Sequence, residues 1–238
     1  MKILLVNDDS IHAPGIALLA KAASQLGEVW VVAPDEQCSA MSQKLTLRGT
    51  MSVKKAEQFP VKVQQAWQVG GTPVDCVKVA LEYILEEKPD WVFSGINNGY
   101  NAGFDTAYSG TLGVAFEAAR NRIPAIAFSA ANDSHLEAVE PYLLDVIQEL
   151  IQQKPEEGMV WNVNFPALRT RPLAGVLRDR TVARVSMYQE QYIESREPDG
   201  SVVLTCKGIP TADELLEEGT DASAVRQGYI SIGKVRAY

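Results

Sequence analysis

Cysteine, histidine and long apolar runs are what this chain has least of. Its 238 residues include Cys38, Cys76 and Cys206, far apart and odd in number, with no CxxC pair and no Cys/His cluster. That pattern supports neither a disulfide framework nor a tetrahedral zinc site. His12 and His135 are the only histidines; both read as incidental, and Ser-His-Asp chemistry is not expected. No 18-residue apolar stretch occurs, so no membrane-spanning helix is expected. Met1-Lys2 runs straight into a strand-like segment without the features of a secretory signal, and the expected location is the cytoplasm. No GxGxxG follows the first strand and no Walker A lysine loop occurs, which leaves dinucleotide and P-loop binding unsupported. Neither Cys38 nor Cys76 has an Arg six residues on, against a cysteine phosphatase, and no Asp-x-Asp phosphatase motif is present. Positive charge is also in deficit, at a formal net charge of −8. A general nucleic-acid or anionic-membrane binder needs a basic face, so neither is expected as a partner. A small anionic substrate stays possible, because one bound cation reverses the field locally.

With 46% hydrophobic and 22% charged residues the composition is that of an ordinary globular protein. Short apolar runs alternate with helical patterns through the first two thirds of the chain. Ile3–Val6, Val29–Ala33, Trp91–Ser94, Ala125–Ser129 and Val160–Val163 read as strands. Gly15–Leu26, Pro73–Glu87, Gly110–Asn121 and Leu136–Gln152 read as helices between them. Continuous apolar strands separated by helices predict a parallel sheet covered on both faces. Right-handed crossovers then put the carboxyl ends of these strands on one edge. Residues 46–69 leave room for a smaller antiparallel insertion.

From about Gly175 the texture changes, and the expected division of this one domain is an α/β core over residues 1–174 followed by an arm and C-terminal segment over residues 175–238. Alternation over Ala183–Glu194 and Ser201–Thr205, around the turn signal Pro198-Asp199-Gly200, predicts a hairpin. Thr211–Glu218 reads as a short acidic helix and Gly228–Ile232 as a last short strand. A hairpin leaving an α/β core is poorly covered by its own chain, which predicts contact with a second subunit.

Ligands of open α/β sheets bind beyond the carboxyl ends of the strands. Sorted by that rule, four oxygen-rich loops converge: Asn7 to Ser10, Asp35 to Ser39, Ser94 to Asn101, and Ser129 to Asp133. The adjacent carboxylates Asp8 and Asp9 repel each other, and two readings compete for them: a solvated loop or cap, and a shared cation. Matching oxygen ligands on the neighbouring loops favour a hard cation such as Mg²⁺ or Mn²⁺. Tyr108-Ser109-Gly110-Thr111 reads as a helix start, with Ser109 or a neighbour as cap and free N–H groups at Gly110 and Thr111. Such a terminus binds phosphate as readily as it caps itself. Gly71-Thr72-Pro73-Val74-Asp75 reads as a second helix start with Pro73 in the first turn.

The stretches "NDDSIHAPGI", "APDEQCSA", "GTPVDCVK", "SGINNGYN", "YSGT" and "NVNFP" occur in this order along the chain, and "DASAVRQGYISI" closes it. Together they resemble the SurE (survival protein E) family of nucleotide phosphatases. The resemblance implies a Rossmann-like three-layer α/β/α core with a C-terminal hairpin arm swapped between subunits, giving a homodimer or homotetramer. It implies one divalent cation per subunit, Mg²⁺ or Mn²⁺, held by Asp8, Asp9, Ser39 and Asn97. It implies phosphate held by Asn101 and the Ser109-Gly110-Thr111 turn, with Asp8 and Asp9 as the catalytic pair. Departures from the pattern are Ser10 where glycine usually follows the acid pair, Ala40 where glycine is frequent, and Gln43 where His or Asn is common. The ending "SIGKVRAY" also lacks the Thr-Pro usual after the last strand.

The implied activity is hydrolysis of nucleoside monophosphates, 5′ with 3′ as the open alternative, to nucleoside and phosphate. The chemistry suits the residues, because a phosphate monoester dianion must be neutralised and a water positioned before attack. An enzyme rival shares the site but acts on polyphosphate or other small phosphoesters. A non-enzyme rival is a receiver-like Mg²⁺-binding domain, but that would need a Lys after the Ala125 strand, where Ser129-Ala130-Ala131-Asn132 stands.

Overall fold

The structure is a computed structural model describing residues 1–131, 136–168 and 172–238. Asn132 and Asp133, part of one predicted loop, and His135 lie outside the described residues. The elements run β1 (Lys2–Val6), α1 (Pro14–Ala23), β2 (Glu28–Pro34), β3 (Val53–Lys55), β4 (Gln65–Val69), α2 (Pro73–Val79), β5 (Trp91–Asn98), α3 (Gly110–Arg120), β6 (Ala125–Ala130), α4 (Leu136–Ile151), β7 (Met159–Phe165), β8 (Gly175–Arg180), β9 (Tyr188–Arg196), β10 (Val202–Pro210), α5 (Asp221–Arg226) and β11 (Tyr229–Arg236).

One sheet of nine strands organises the chain in the order β3-β4-β2-β1-β5-β6-β7-β11-β8. Its centre, β4-β2-β1-β5-β6-β7, is parallel throughout. β3 joins β4 antiparallel, and β11 joins β7 antiparallel. The apolar strand runs explain the two-sided burial. Ile3, Leu5, Phe93 and Phe128 point to one face, where α1 and α4 bring Ile16, Leu19, Leu143 and Ile147. Leu4, Val6, Val92 and Ala127 point to the other, where α2 and α3 bring Cys76, Val77, Leu112 and Phe116. Period-2 alternation with apolar residues at both phases leaves no solvent face, so helices must cover both sides. The result is the expected three-layer α/β/α core.

The strand order reverses at β1, which has β2 on one side and β5 on the other. In doubly wound sheets that reversal opens a crevice at the carboxyl ends. β1 ends at Val6, β2 at Pro34 and β5 at Asn98, so the acid pair and the asparagine-rich stretch face each other across it.

Several elements differ from the sequence expectations. The helix predicted to Glu87 is α-helical only to Val79 and continues as one wide π-type turn over Ala80–Ile84. The acidic segment after the hairpin forms a 3₁₀ turn at Asp213–Leu215 rather than a helix. Strand β5 extends four residues past Ser94, with a register shift between Ser94 and Asn97, so half of the "loop" is strand. Within residues 46–69, β4 pairs parallel to β2 and only the three-residue β3 is antiparallel. The last strand runs to Arg236, where Lys234 extends over the Trp161 ring and reaches Glu156. The hairpin is formed by β9 and β10, paired antiparallel from Tyr188↔Pro210 to Arg196↔Val202. Every residue of both strands is exposed. No described helix is long and apolar enough to cross a membrane.

Candidate functional site

The acid pair sits where β1 leaves the sheet. Asp8 is buried, with 5% of its surface exposed, while Asp9 is partly exposed. Asp8 lies against the amino terminus of α3: Thr111 Oγ1 donates to its Oδ1 at 2.8 Å, and the Thr111 backbone N–H also supports the carboxylate. A methyl on Gly110 would stand 2.9 Å from Asp8 Cβ and Oδ2, so glycine is what lets the helix end approach this closely. The helix terminus favours the carboxylate form. Burial outweighs it: desolvation, with the Asp9 charge adding to it, pushes the Asp8 carboxyl from 3.8 up to about 6.

Asp9 ties the neighbouring strands together. Its Oδ2 accepts the Asn98 backbone N–H of β5 at 2.9 Å, across the crevice. Its Oδ1 accepts from Gln37 Nε2 at 3.3 Å, and the same amide reaches Ser39 Oγ at 3.1 Å. The loop after β2 is fastened beneath by Cys38, whose backbone N–H donates to the Asp8 carbonyl at 2.7 Å. On β5, Asn97 Nδ2 donates to the Gly99 carbonyl at 2.9 Å. Its amide nitrogen is thereby committed, which turns its side-chain carbonyl oxygen into the group available as an acceptor or ligand. The predicted quartet Asp8, Asp9, Ser39 and Asn97 therefore comes from the loops after β1 and β2 and from the end of β5, at one strand edge.

Asn101 is buried and held from several sides. Asn162 Nδ2 and Asn164 Nδ2 donate to its carbonyl at 2.8 and 3.1 Å, and its own N–H donates to Asn164 Oδ1 at 2.9 Å. Its side-chain amide reaches Ser129 Oγ at 2.8 Å and Thr111 Oγ1 at 3.2 Å. A chain of hydrogen bonds thus runs from Asn101 through Thr111 to Asp8. Ser109 Oγ accepts the Leu112 N–H at 3.0 Å and is the cap of α3. Thr72 and Asp75 likewise form a complete capping box on α2, with Asp75 also held by Thr46. That second helix start is accounted for by capping.

Four contributors were given no individual role by sequence reasoning, although Gln37 and Ser129 fall in loops it singled out. Gln37 bridges Asp9 and Ser39, and Asn162, Asn164 and Ser129 clamp Asn101. Two asparagines at alternate positions of the apolar strand "WNVNF" were a readable sign, since a buried amide needs partners. A further contributor, Asp221, opens the closing motif. Its carboxylate is buried and accepts the N–H groups of Gly103, Ala183 and Ala222. It therefore joins the loop after Asn101 to the root of the hairpin.

Two of the departures noted above fall at left-handed backbone. Ser10 has φ 84° and Ala40 φ 55°. A side chain is strained there and glycine is not. Local bonds hold Ser10 in place: Asn7 Nδ2 and the Ala13 N–H both donate to its carbonyl, at 2.7 and 3.1 Å.

The donor set fits a hard divalent cation. Two adjacent carboxylates, a hydroxyl and an amide carbonyl are all oxygen donors, and a cation among them would offset both the burial of Asp8 and its repulsion from Asp9. Among the described residues no three His, Cys, Asp or Glu side chains come together.

Residues 3–190 match the family model described as "Survival protein SurE". The chain is 38% identical over 240 residues to "5′-nucleotidase SurE 1" of Thermus thermophilus, covering 99% of this chain and 91% of that protein. It is 36% identical over 237 residues to "5′-nucleotidase SurE" of Flavobacterium psychrophilum, covering 98% and 91%. The crystal structure of SurE protein from Aquifex aeolicus superposes with a TM-score of 0.82 at 34% identity, covering 99% of this chain and 93% of that one.

Proposed function

The chain belongs to the SurE family, and from that premise we propose that it is a 5′-nucleotidase, a metal-dependent phosphomonoesterase that releases phosphate from nucleoside monophosphates. The observation that carries this reading is the contact of Asp8 with the amino terminus of α3, beside Asp9, at the point where the strand order reverses. Charge of both signs is there concentrated on one small volume. The relatives named 5′-nucleotidase align with nearly the whole chain, so the activity concerns all of it.

Asp8, Asp9, Ser39 and Asn97 would hold one Mg²⁺ or Mn²⁺ per subunit. Such an ion supplies charge neutralisation for the phosphate and a more acidic bound water. The protein supplies the rest. Asp9, partly exposed and braced by the Asn98 N–H and Gln37, is placed to orient a water. Asn101, Ser109, Gly110 and Thr111 form the phosphate cradle. At the first turn of α3 the N–H groups have no helical partner, and an anion is favoured there by the helix dipole. Asn162 and Asn164 fix the Asn101 backbone, so the cradle is set before substrate arrives. The fully exposed ribbon of β9 and β10 supports assembly through this arm, as a homodimer or homotetramer, because an isolated two-stranded ribbon is marginal in water.

Phosphate release from a panel of nucleoside monophosphates, polyphosphate and sugar phosphates, with Mn²⁺ and with excess EDTA, tests the reading. Mn²⁺-dependent turnover led by nucleotides is expected. Undiminished turnover in EDTA, or none on any nucleotide, refutes it.

A further inference from the structure

Every N–H hydrogen of Asn101 is already committed. The backbone N–H goes to Asn164 Oδ1, and Nδ2 donates to Ser129 Oγ at 2.8 Å and to Thr111 Oγ1 at 3.2 Å. The neighbouring hydroxyl fixes this orientation of the amide. Thr111 Oγ1 carries one hydrogen and gives it to Asp8 Oδ1, so toward Asn101 it can only accept. What remains is the side-chain oxygen. Only 5% of the Asn101 surface is exposed, yet Oδ1 accepts no hydrogen bond among the described residues and is not sealed inside the protein. An amide oxygen so placed lacks a donor. Donors at the adjoining end of α3 are few as well. The Thr111 N–H supports Asp8, the Leu112 N–H goes to Ser109 Oγ, and the Gly113 N–H goes to the Ser109 carbonyl. Among the described residues that leaves the Gly110 N–H and the Ser109 hydroxyl hydrogen for an incoming anion.

We propose that Asn101 enters the phosphate cradle as a hydrogen-bond acceptor and makes it select a phosphoryl group that carries a hydrogen, hydrogen phosphate or a monoanionic ester, over sulfate and the bare dianion. The assignment rests on the phosphomonoesterase reading above and deepens it by naming the protonation state that the site takes. A bare phosphoryl oxygen has only lone pairs. Set against Asn101 Oδ1 it makes no bond, and it leaves a nearly buried acceptor unpaired, which is costly. A P–O–H group donates there instead, while the oxygens that stay bare turn to the Gly110 N–H and the Ser109 hydroxyl. Hydrogen phosphate keeps such a hydrogen across the neutral range. A phosphate monoester keeps one only below about pH 6, and sulfate has none. Asn101 cannot turn its NH₂ to the anion without giving up both Ser129 and Thr111.

The test compares inorganic phosphate with sulfate on the Mn²⁺-loaded protein, by calorimetric titration and as inhibitors of AMP hydrolysis. Wild type should bind phosphate more tightly by roughly tenfold to a hundredfold, the range of one buried acceptor left unpaired. Asn101→Ala keeps the backbone N–H and carbonyl that Asn162 and Asn164 clamp, and it should bring the two constants within about threefold of each other. Ser129→Ala frees one Nδ2 hydrogen, so that the amide can turn, and should lower the preference severalfold. Thermal melts show that both variants keep the fold. For AMP, the quotient of wild-type to Asn101→Ala kcat/KM should fall severalfold between pH 5.5 and 7.5, as the ester loses its hydrogen. Dividing by the variant removes titrations that the two proteins share. Equal constants for phosphate and sulfate in the wild type, a preference unmoved in both variants, or a quotient flat with pH overturns the assignment and leaves the phosphomonoesterase reading intact. Absence of Mn²⁺-dependent turnover on any phosphate ester overturns the underlying reading and this assignment with it.

Discussion

Asp8 makes the metal-free protein less stable than it would be without that charge, and the size of the effect follows from its surroundings. Its carboxyl releases a proton near 3.8 in the unfolded chain and near 6 in the fold, mainly because it is buried and secondarily because Asp9 stands beside it. Between those values the folded state binds more protons than the unfolded state. Stability is therefore full below about pH 4, falls as pH rises through about 6, and is level above. A shift of about 2 units is worth about 3 kcal/mol at 1.36 kcal/mol per unit. Asp8→Asn removes that dependence. The amide oxygen can still accept from Thr111 Oγ1, but its NH₂ meets the Thr111 N–H, which costs about 1 kcal/mol. In EDTA at pH 7.5 the variant should be more stable than the wild type by about 1–2 kcal/mol, or several degrees in Tm for a chain of this length. At pH 4.5 the advantage should vanish or reverse.

Urea melts of both proteins from pH 4 to 8 in EDTA measure this directly. Taking wild type minus variant isolates Asp8 from Asp105 and Asp221, whose carboxyls burial also pushes up. Saturating Mn²⁺ should stabilise the wild type, by about 2.7 kcal/mol at a hundredfold excess over Kd, and the variant far less. Parallel pH curves for the two proteins would refute the reasoning, since a solvated turn would give that result.

Other outcomes follow from the same geometry. Ser10→Gly and Ala40→Gly relieve left-handed backbone and should each raise stability in thermal melts by about 0.5–1 kcal/mol, after the entropy cost of glycine is subtracted. Asp221→Asn keeps Oδ1 as an acceptor for Ala183, Ala222 and, at 3.2 Å, Gly103, but sets an NH₂ 3.1 Å from the same Gly103 N–H. It should raise the inhibition constant of inorganic phosphate about tenfold while the Mn²⁺ midpoint of activation stays put, as equilibrium and inhibition titrations would show. Light scattering at micromolar concentration should give a mass above one chain, and Tyr192→Asp with Leu204→Asp on the ribbon should lower it.

The parallel core was legible because its strands are apolar at every position, a pattern that only two-sided burial explains. Leu4 and Leu5 cannot both be inward on a half-exposed strand. The acid pair was legible for the converse reason, as charge placed abruptly at the end of such a run. What stayed hidden depends on partners distant in sequence. Nothing near Asn101 announces Asn162 and Asn164, about sixty residues on, nor does Gly103 announce Asp221. The π-type turn ending the α2 segment was hidden too, because nothing in the local sequence Ala80–Ile84 separates a wide turn from an ordinary helical one. Family resemblance flagged Ser10 and Ala40 as departures, but only the backbone angles say what they cost.

The hairpin shows most clearly what one chain leaves open. Its strands expose Tyr188, Tyr192, Ile193, Val202, Val203, Leu204 and Ile209, seven large apolar or aromatic side chains on one two-stranded ribbon. Its root is nevertheless fixed. Gly103 bridges Ser186, Phe104 donates to the Val185 carbonyl at 3.0 Å, Met187 donates to Asp105 at 2.9 Å, and a methyl on Gly103 would collide with the Val185 carbonyl at 2.0 Å. Those contacts fall two to four residues after Asn101, whose carbonyl is clamped from β7. The ribbon thus emerges from the loop that carries Asn101, one residue of the proposed phosphate cradle. A second copy seated on the ribbon would hold that loop through Gly103 and Asp105, by contacts that remain in place whether or not the acid pair holds a cation.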